Sequence, residues 1–205
     1  METALGSGLA QTGDGLCLPI RFLSSVGLTN LSFRVNYDPA RLTNLVVHSL
    51  LPGACSGSLT SVDPSNALIR LAVLGPQPFR GTQQLAEVCF TLCPGQRSAF
   101  LPMQITATQA RQTDGSTVVN LVNTPGRLTV IGEEPLLELV IYTNGHPTLV
   151  LYGKPAWNCD VNESPRLDAA PPWQLYRQTT LDDVYQTFDV TPATNTMRFF
   201  RAVRQ

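Results

Sequence analysis

The stretch Asn30-Leu31-Ser32-Phe33-Arg34-Val35-Asn36-Tyr37-Asp38-Pro39 decides how this chain is read. Leu31, Phe33, Val35 and Tyr37 fall on one side of an extended segment and Ser32, Arg34 and Asn36 on the other, which is the two-residue period of a half-buried strand. Asp38-Pro39 then ends it, because proline disfavours helix at the residue before it and aspartate bonds to nearby backbone in turns. Immediately upstream, Leu16, Leu18, Ile20 and Phe22 alternate with Cys17, Pro19, Arg21 and Leu23 in the same way, and Val26 to Asn30 reads as the turn between two strands.

The pattern spreads in both directions from there. Leu42, Leu45, Val46 and Val47 suggest a short strand stopped by Pro52, Gly53 and Gly57, and the region before Ala67 is loop-rich. Ala67 to Leu74 sets Ile69, Leu71 and Val73 against Leu68, Arg70, Ala72 and Leu74, while Ala86 to Cys93 points Val88, Phe90 and Leu92 inward. Phe100 to Thr108 places Leu101, Met103 and Ile105 on a core side with Gln104 and Thr106 outside. Asp114-Gly115 is a hairpin turn, and Val118 to Val122 and Arg127 to Ile131 close the set. Met1 to Gly15, small and polar, reads as the entry into a domain cut from a longer chain. No window of ten residues carries a helical stripe, so the expected class is all-β.

Gly132-Glu133-Glu134-Pro135 breaks the alternation, and a boundary there divides residues 1–132 from 133–205. In the second part, Leu136 to Tyr142 and Thr148 to Tyr152 form a hairpin across Asn144-Gly145. Trp173 to Thr179, Tyr185 to Val190 and Met197 to Val203 are further strands, with a Pro-rich loop from Gly153 to Pro172.

Composition excludes several classes of partner. Charged residues make up only 14% of the 205, the net charge is −1, and Lys154 is the sole lysine among 14 basic residues. No broad basic field exists to hold nucleic acid. No apolar run reaches the roughly 18 residues a spanning helix needs. The five cysteines contain no CxxC pair, and Cys89 and Cys93 are too far apart along one strand, about 13 Å at ~3.3 Å per residue, to bridge each other. Cys17 with Cys89 or with Cys93, Cys55 with Cys93, or five unlinked thiols all stay open, and cysteine usage leaves the compartment open as well.

Catalytic constellations are missing. His48 and His146 are the two histidines, each read as an exposed loop residue with no serine or cysteine at a readable spacing. Asp182-Asp183 would point to opposite faces of a strand, and both read as turn residues. Asp160, Glu163 and Asp168 could gather calcium oxygens in the long loop, but the DxDxDG spacing is absent, so no metal and no cofactor is expected. The chain reads as a non-enzyme.

Four ordered segments carry a family resemblance. Gly15-Leu16-Cys17-Leu18-Pro19-Ile20, the run Asn30 to Leu42 with its Tyr37-Asp38-Pro39 turn, Leu85 to Leu92, and Gly126-Arg127-Leu128-Thr129-Val130 resemble, in that order, strands of the cohesin domain. The likeness covers roughly residues 5 to 132 and implies a jelly-roll-like β-sandwich that binds a protein domain of dockerin type. Residues 133–205, with Trp173-Gln174-Leu175-Tyr176 and Arg198-Phe199-Phe200-Arg201-Ala202, are similar in composition to small C-terminal β modules of secreted bacterial proteins. They are expected to form a smaller antiparallel β-sandwich-like unit used for export, anchoring or spacing. The implied setting is extracellular or at a cell surface. The implied partner-facing sheet presents Arg34, Asn36, Arg70, Ala72, Leu74, Gln104 and Thr106, and arginine flanked by small side chains suits a protein interface. The competing expectations are a polysaccharide ligand, for which Trp157 in the Pro-rich loop is the candidate, an accessory domain of a polysaccharide-degrading enzyme, and a structural segment with no discrete ligand.

Overall fold

In the computed structural model, residues 1–50, 55–63, 65–73, 77–143, 145–167, 173–190 and 197–205 are described, with 55–63 and 73 described by backbone alone. Among them every regular element is a strand. Ten belong to the first part of the chain: β1 (Glu2–Leu5), β2 (Gly8–Gln11), β3 (Gly15–Asn36), β4 (Leu42–Ser49), β5 (Cys55–Asp63), β6 (Asn66–Val73), β7 (Phe79–Leu92), β8 (Ala99–Gln112), β9 (Val122–Thr124) and β10 (Gly126–Ile131). Six belong to the second: β11 (Leu136–Ile141), β12 (Pro147–Tyr152), β13 (Asn158–Ser164), β14 (Gln174–Thr180), β15 (Tyr185–Asp189) and β16 (Phe199–Arg204). The chain divides into one unit of Met1–Pro94 with Phe100–Val130 and another of Gly95–Ala99 with Ile131–Gln205.

The first unit is organised by β3. Its N-terminal half, Gly15 to Leu28, pairs with β7, and Ile20 to Leu23 also pair with β1. Its C-terminal half pairs with β6 on one side and β8 on the other. Outside these lie β4 against β7, β5 against β6, β9 parallel to β1, and β10 then β2 beyond β8. One strand thus contributes to both leaves of the sandwich. The inward residues named from the alternation do form one core: Leu18, Ile20, Phe22, Leu31, Phe33, Val35, Ile69, Leu71, Val88, Phe90, Leu92, Met103 and Ile105 are all buried together. Each such apolar side chain contributes about 1.5–3 kcal/mol by leaving water.

Four expectations are corrected by pairing that composition does not encode. The turn expected at Val26 to Asn30 is a bend within continuous β3, where the register against β7 shifts between Ser24 and Leu28. There buried Ser24 uses its Oγ to donate to the Val26 carbonyl and accept from the Val26 N–H, so its hydroxyl is satisfied within the bend. The opening residues are strands β1 and β2; β1 points only Thr3 and Leu5 into the core, too few for a periodic signal. The loop-rich region before Ala67 holds β5, a Ser- and Thr-rich strand fixed by its ladder to β6. Of the strand expected at Val118 to Val122 only its last residue is strand, in β9, and Val119 lies exposed.

The second unit is two three-stranded antiparallel sheets, β11-β12-β15 and β14-β13-β16. They share a core of Leu149, Leu151, Trp157, Cys159, Val161, Leu181, Phe188 and Val190. β13 lies where a Pro-rich loop was expected, pairing with both β14 and β16. The segment 95–99 belongs to this unit for a local reason. Gly132 N–H donates to Ser98 Oγ at 2.7 Å, and Ser98 Oγ in turn donates to the Glu134 carbonyl. A Cβ at Gly132 would collide with the Gln96 carbonyl oxygen, so only glycine permits this approach.

Candidate functional site

The residues expected on a partner-facing sheet share one outward face. In β3 the inward residues Leu31, Phe33 and Val35 leave Ser32, Arg34 and Asn36 outward, and the register carries that alternation sideways. Arg34 lies opposite Leu68 of β6 and Thr106 of β8; Ser32 lies opposite Arg70; Asn30 lies opposite Ala72; Asn36 lies opposite Gln104. Arg34, Arg70 and Gln104 are exposed, and Asn36, Ala72 and Thr106 are half-buried. Thr106 Oγ1 donates to Asn36 Oδ1 at 3.1 Å, which pins the amide to the sheet. Leu74 lies outside the described residues.

One further residue reaches this face and was missed from sequence. Between Ser32/Arg34 of β3 and Gln109/Thr106 of β8 the register slips, so that three steps on β8 match two on β3. Ala107 sits there in the left-handed region, at a φ of 50°. The bulge inverts the parity of the C-terminal end of β8: Ala110 turns into the core and Gln109 and Arg111 turn outward. Strict alternation would have placed Arg111 on the core side. It faces a concavity of about 430 Å³ on the same surface, lined also by Asn30, Ser32, Arg70 and Gln109.

The hairpin turn beyond β8 is held by its own polar groups. Gly115 has a φ of +84°, and Asp114 Oδ1 accepts from the Ser116 hydroxyl and N–H at 2.6 and 2.9 Å. Those bonds to Ser116 hold the Asp114 carboxyl below the usual aspartate range. Among the described residues, ion pairs occupy Arg41, Arg97, Lys154 and Arg198, and none involves Arg34, Arg70 or Arg111.

The other candidates are dispersed or occupied. Trp157 is not an exposed loop aromatic. It is 8% exposed, in the core of the second unit, with Lys154 Nζ 5.6 Å and Arg204 Cζ 4.6 Å from its ring centroid, so no open ring face is left for a sugar. Trp173 carries Arg201 over its ring, and Tyr152 donates its hydroxyl to Glu138. Asp160 and Glu163 belong to β13 rather than to a calcium loop: Glu163 pairs with Arg198, and Asp160 Oδ2 accepts from Gln205. Asp168 lies outside the described residues. His48 is exposed on β4 opposite Glu87, and His146 is exposed in the β11–β12 turn.

Among the described side chains one cysteine pair is joined, and the Cys55 side chain, with the Cys55–Cys93 alternative, lies outside them. Cys17 and Cys89 are joined by a disulfide between directly opposed positions of β3 and β7, on the outer side of the sheet. Glu87 lies beside them, but sulfurs already bonded to each other offer no thiolate to a metal. Cys159 is buried in the second core, and that burial raises its thiol pKa.

No protein-family model and no curated protein matches this chain. Solved structures do match it, and those compared below define one class of fold. The third cohesin of ScaC from Acetivibrio cellulolyticus, solved in complex with the ScaB dockerin, is 18% identical with a TM-score of 0.55 over 64% of this chain and 99% of that one. A cohesin module from a Clostridium perfringens family 33 glycoside hydrolase is 14% identical, with a TM-score of 0.57 over 64% and 97%. A non-cellulosomal cohesin of the archaeon Archaeoglobus fulgidus is 13% identical, with a TM-score of 0.53 over 64% and 91%. The chain contains a cohesin-like β-sandwich. At these identities the likeness is one of fold.

Proposed function

We propose that the first unit is a non-catalytic docking module whose β5-β6-β3-β8 face receives a folded protein domain of dockerin type. The carrying observation is that face itself: an open sheet whose described outward residues on β3, β6 and β8 are polar, small or arginine apart from Leu68, Pro102 and Phe100, with no carboxylate among them and the one aromatic ring lying under Arg127. Arginine is enriched at interface hot spots, and flat exposed aromatics are what a sugar platform would need. Cohesins of the same fold, solved with dockerins bound, support a protein over a polysaccharide partner. The Cys17–Cys89 disulfide favours an oxidising setting, outside the cell or on its surface. The second unit serves as a spacer or sorting module.

The test is affinity capture from the secreted proteins of the source organism, followed by calorimetry with the purified prey. Ala72→Trp and Gln104→Trp each place bulk on the face and should abolish binding. Arg21→Trp, exposed on the β7-paired half of β3, should leave it unchanged. Binding that survives both face variants, or retention of the chain on insoluble glycan in place of protein, would sink the proposal. A chain that captures neither is the structural segment with no ligand.

A further inference from the structure

On the reading that this face docks a protein, we infer that the partner meets it with carboxylates, one of which seats in the concavity between Arg70 and Arg111. The argument is a local imbalance of charge. The whole chain carries a formal −1, yet the described outward residues of β6, β8 and the C-terminal half of β3 include Arg34, Arg70 and Arg111 and no acid. Arg34 and Arg70 are diagonal neighbours on adjacent strands, about 7–8 Å apart at the backbone. Arg70 and Arg111 flank β3 two strand spacings apart, roughly 10 Å across the sheet. Such separations are about one Debye length at physiological salt, so the three charges act together on anything that approaches.

No described ion pair involves any of the three. The nearest acid in sequence to Arg111 is Asp114, whose carboxylate is engaged by Ser116. Arg70 and Arg111 line a pocket whose remaining polar walls are Asn30, Ser32, Gln109 and Thr117, side chains able to donate to a carboxylate oxygen. Arginine holds a carboxylate through paired N–H bonds, and a half-enclosed site strengthens that contact over an exposed one. A phosphate backbone is the weaker fit. Only three cations serve it, where nucleic-acid sites commonly use about 6–10 phosphate contacts, and the one described aromatic on β8's outward side, Phe100, already carries Arg127 over its ring.

The test uses the full chain and a defined probe. Amide resonances are followed by two-dimensional NMR while acetylated, amidated hexaglutamate is added, with hexalysine and an oligothymidine as parallel arms. Hexaglutamate should shift Asn30, Ser32, Arg70, Gln109 and Arg111 together, and its affinity should fall at least about tenfold from ~20 to ~300 mM NaCl. Arg70→Gln with Arg111→Gln should remove the response while the remaining spectrum keeps its dispersion. No response, an equal response to hexalysine, a response that survives the double variant, or tighter binding of oligothymidine at these residues overturns the inference. The docking reading fails separately. A purified partner that is blocked by Ala72→Trp but binds the double Gln variant normally, with no salt dependence, leaves docking intact and removes only the acidic partner. A partner indifferent to Ala72→Trp removes both.

Discussion

Replacing Cys17 and Cys89 together by serine should destabilise the first unit by roughly 2–4 kcal/mol. The two cysteines are 72 residues apart, and closing a loop of that length restricts the unfolded chain by about 4 kcal/mol in the entropic treatment. Native packing contributes little to the cost, because Cys17 is exposed and Cys89 half-buried on the outer side of the sheet, so no core cavity opens. Residual order in the unfolded chain lowers the figure below the ideal, which sets the range. With a urea dependence of ~2 kcal/mol/M, the midpoint should fall by about 1–2 M. Pulsed hydrogen exchange of peptides from β3 and β7 across a urea series reads that shift, and reducing the wild type with a phosphine should reproduce it. Peptide mapping under non-reducing conditions checks the pairing directly. Equal midpoints with and without the disulfide would refute the loop argument, and a Cys17–Cys93 linked peptide would refute the β3–β7 register itself.

The remaining expectations are local. Trp157→Ala should cost the second unit about 3–5 kcal/mol in urea unfolding, because the ring sits in the core rather than on a binding surface. Arg34→Ala and Arg70→Ala should each change stability by no more than about 0.5 kcal/mol by thermal melting, since both are exposed and outside every described ion pair. Cys159 should alkylate slowly in the native protein and rapidly in urea. Burial raises its pKa, so above the unfolded thiol value of ~8.5 the unfolded chain loses its proton first, and the contribution to stability, complete below that pH, is lost as pH rises through the folded value. Asp114 has the opposite sign: its carboxyl is held low by Ser116, so its contribution is present above the ordinary aspartate value and disappears as pH falls. A carbon-detected titration of Asp114 should move toward the ordinary value in Ser116→Ala, and an unchanged titration there would contradict the assignment.

The sequence by itself determined the all-β class, most of the first core, and the face on which Arg34, Asn36, Arg70, Ala72, Gln104 and Thr106 lie. Period-two alternation is a local property: where Phe33 or Ile69 is drawn from water, its neighbours in the chain must turn outward, whatever strand pairs beside them. Tertiary structure decided what depends on partners distant in the chain. β5 is a strand because β6 offers it a ladder, not because its Ser and Thr residues alternate with apolar ones. Arg111 faces outward because a bulge in β8 reverses the parity that sequence alone would assign. Trp157 is core because β13, invisible as a pattern, folds beneath it. Cys17 found Cys89 rather than Cys93 because β3 and β7 align in one register, and a register is fixed by the packing of two strands rather than by the residues of either.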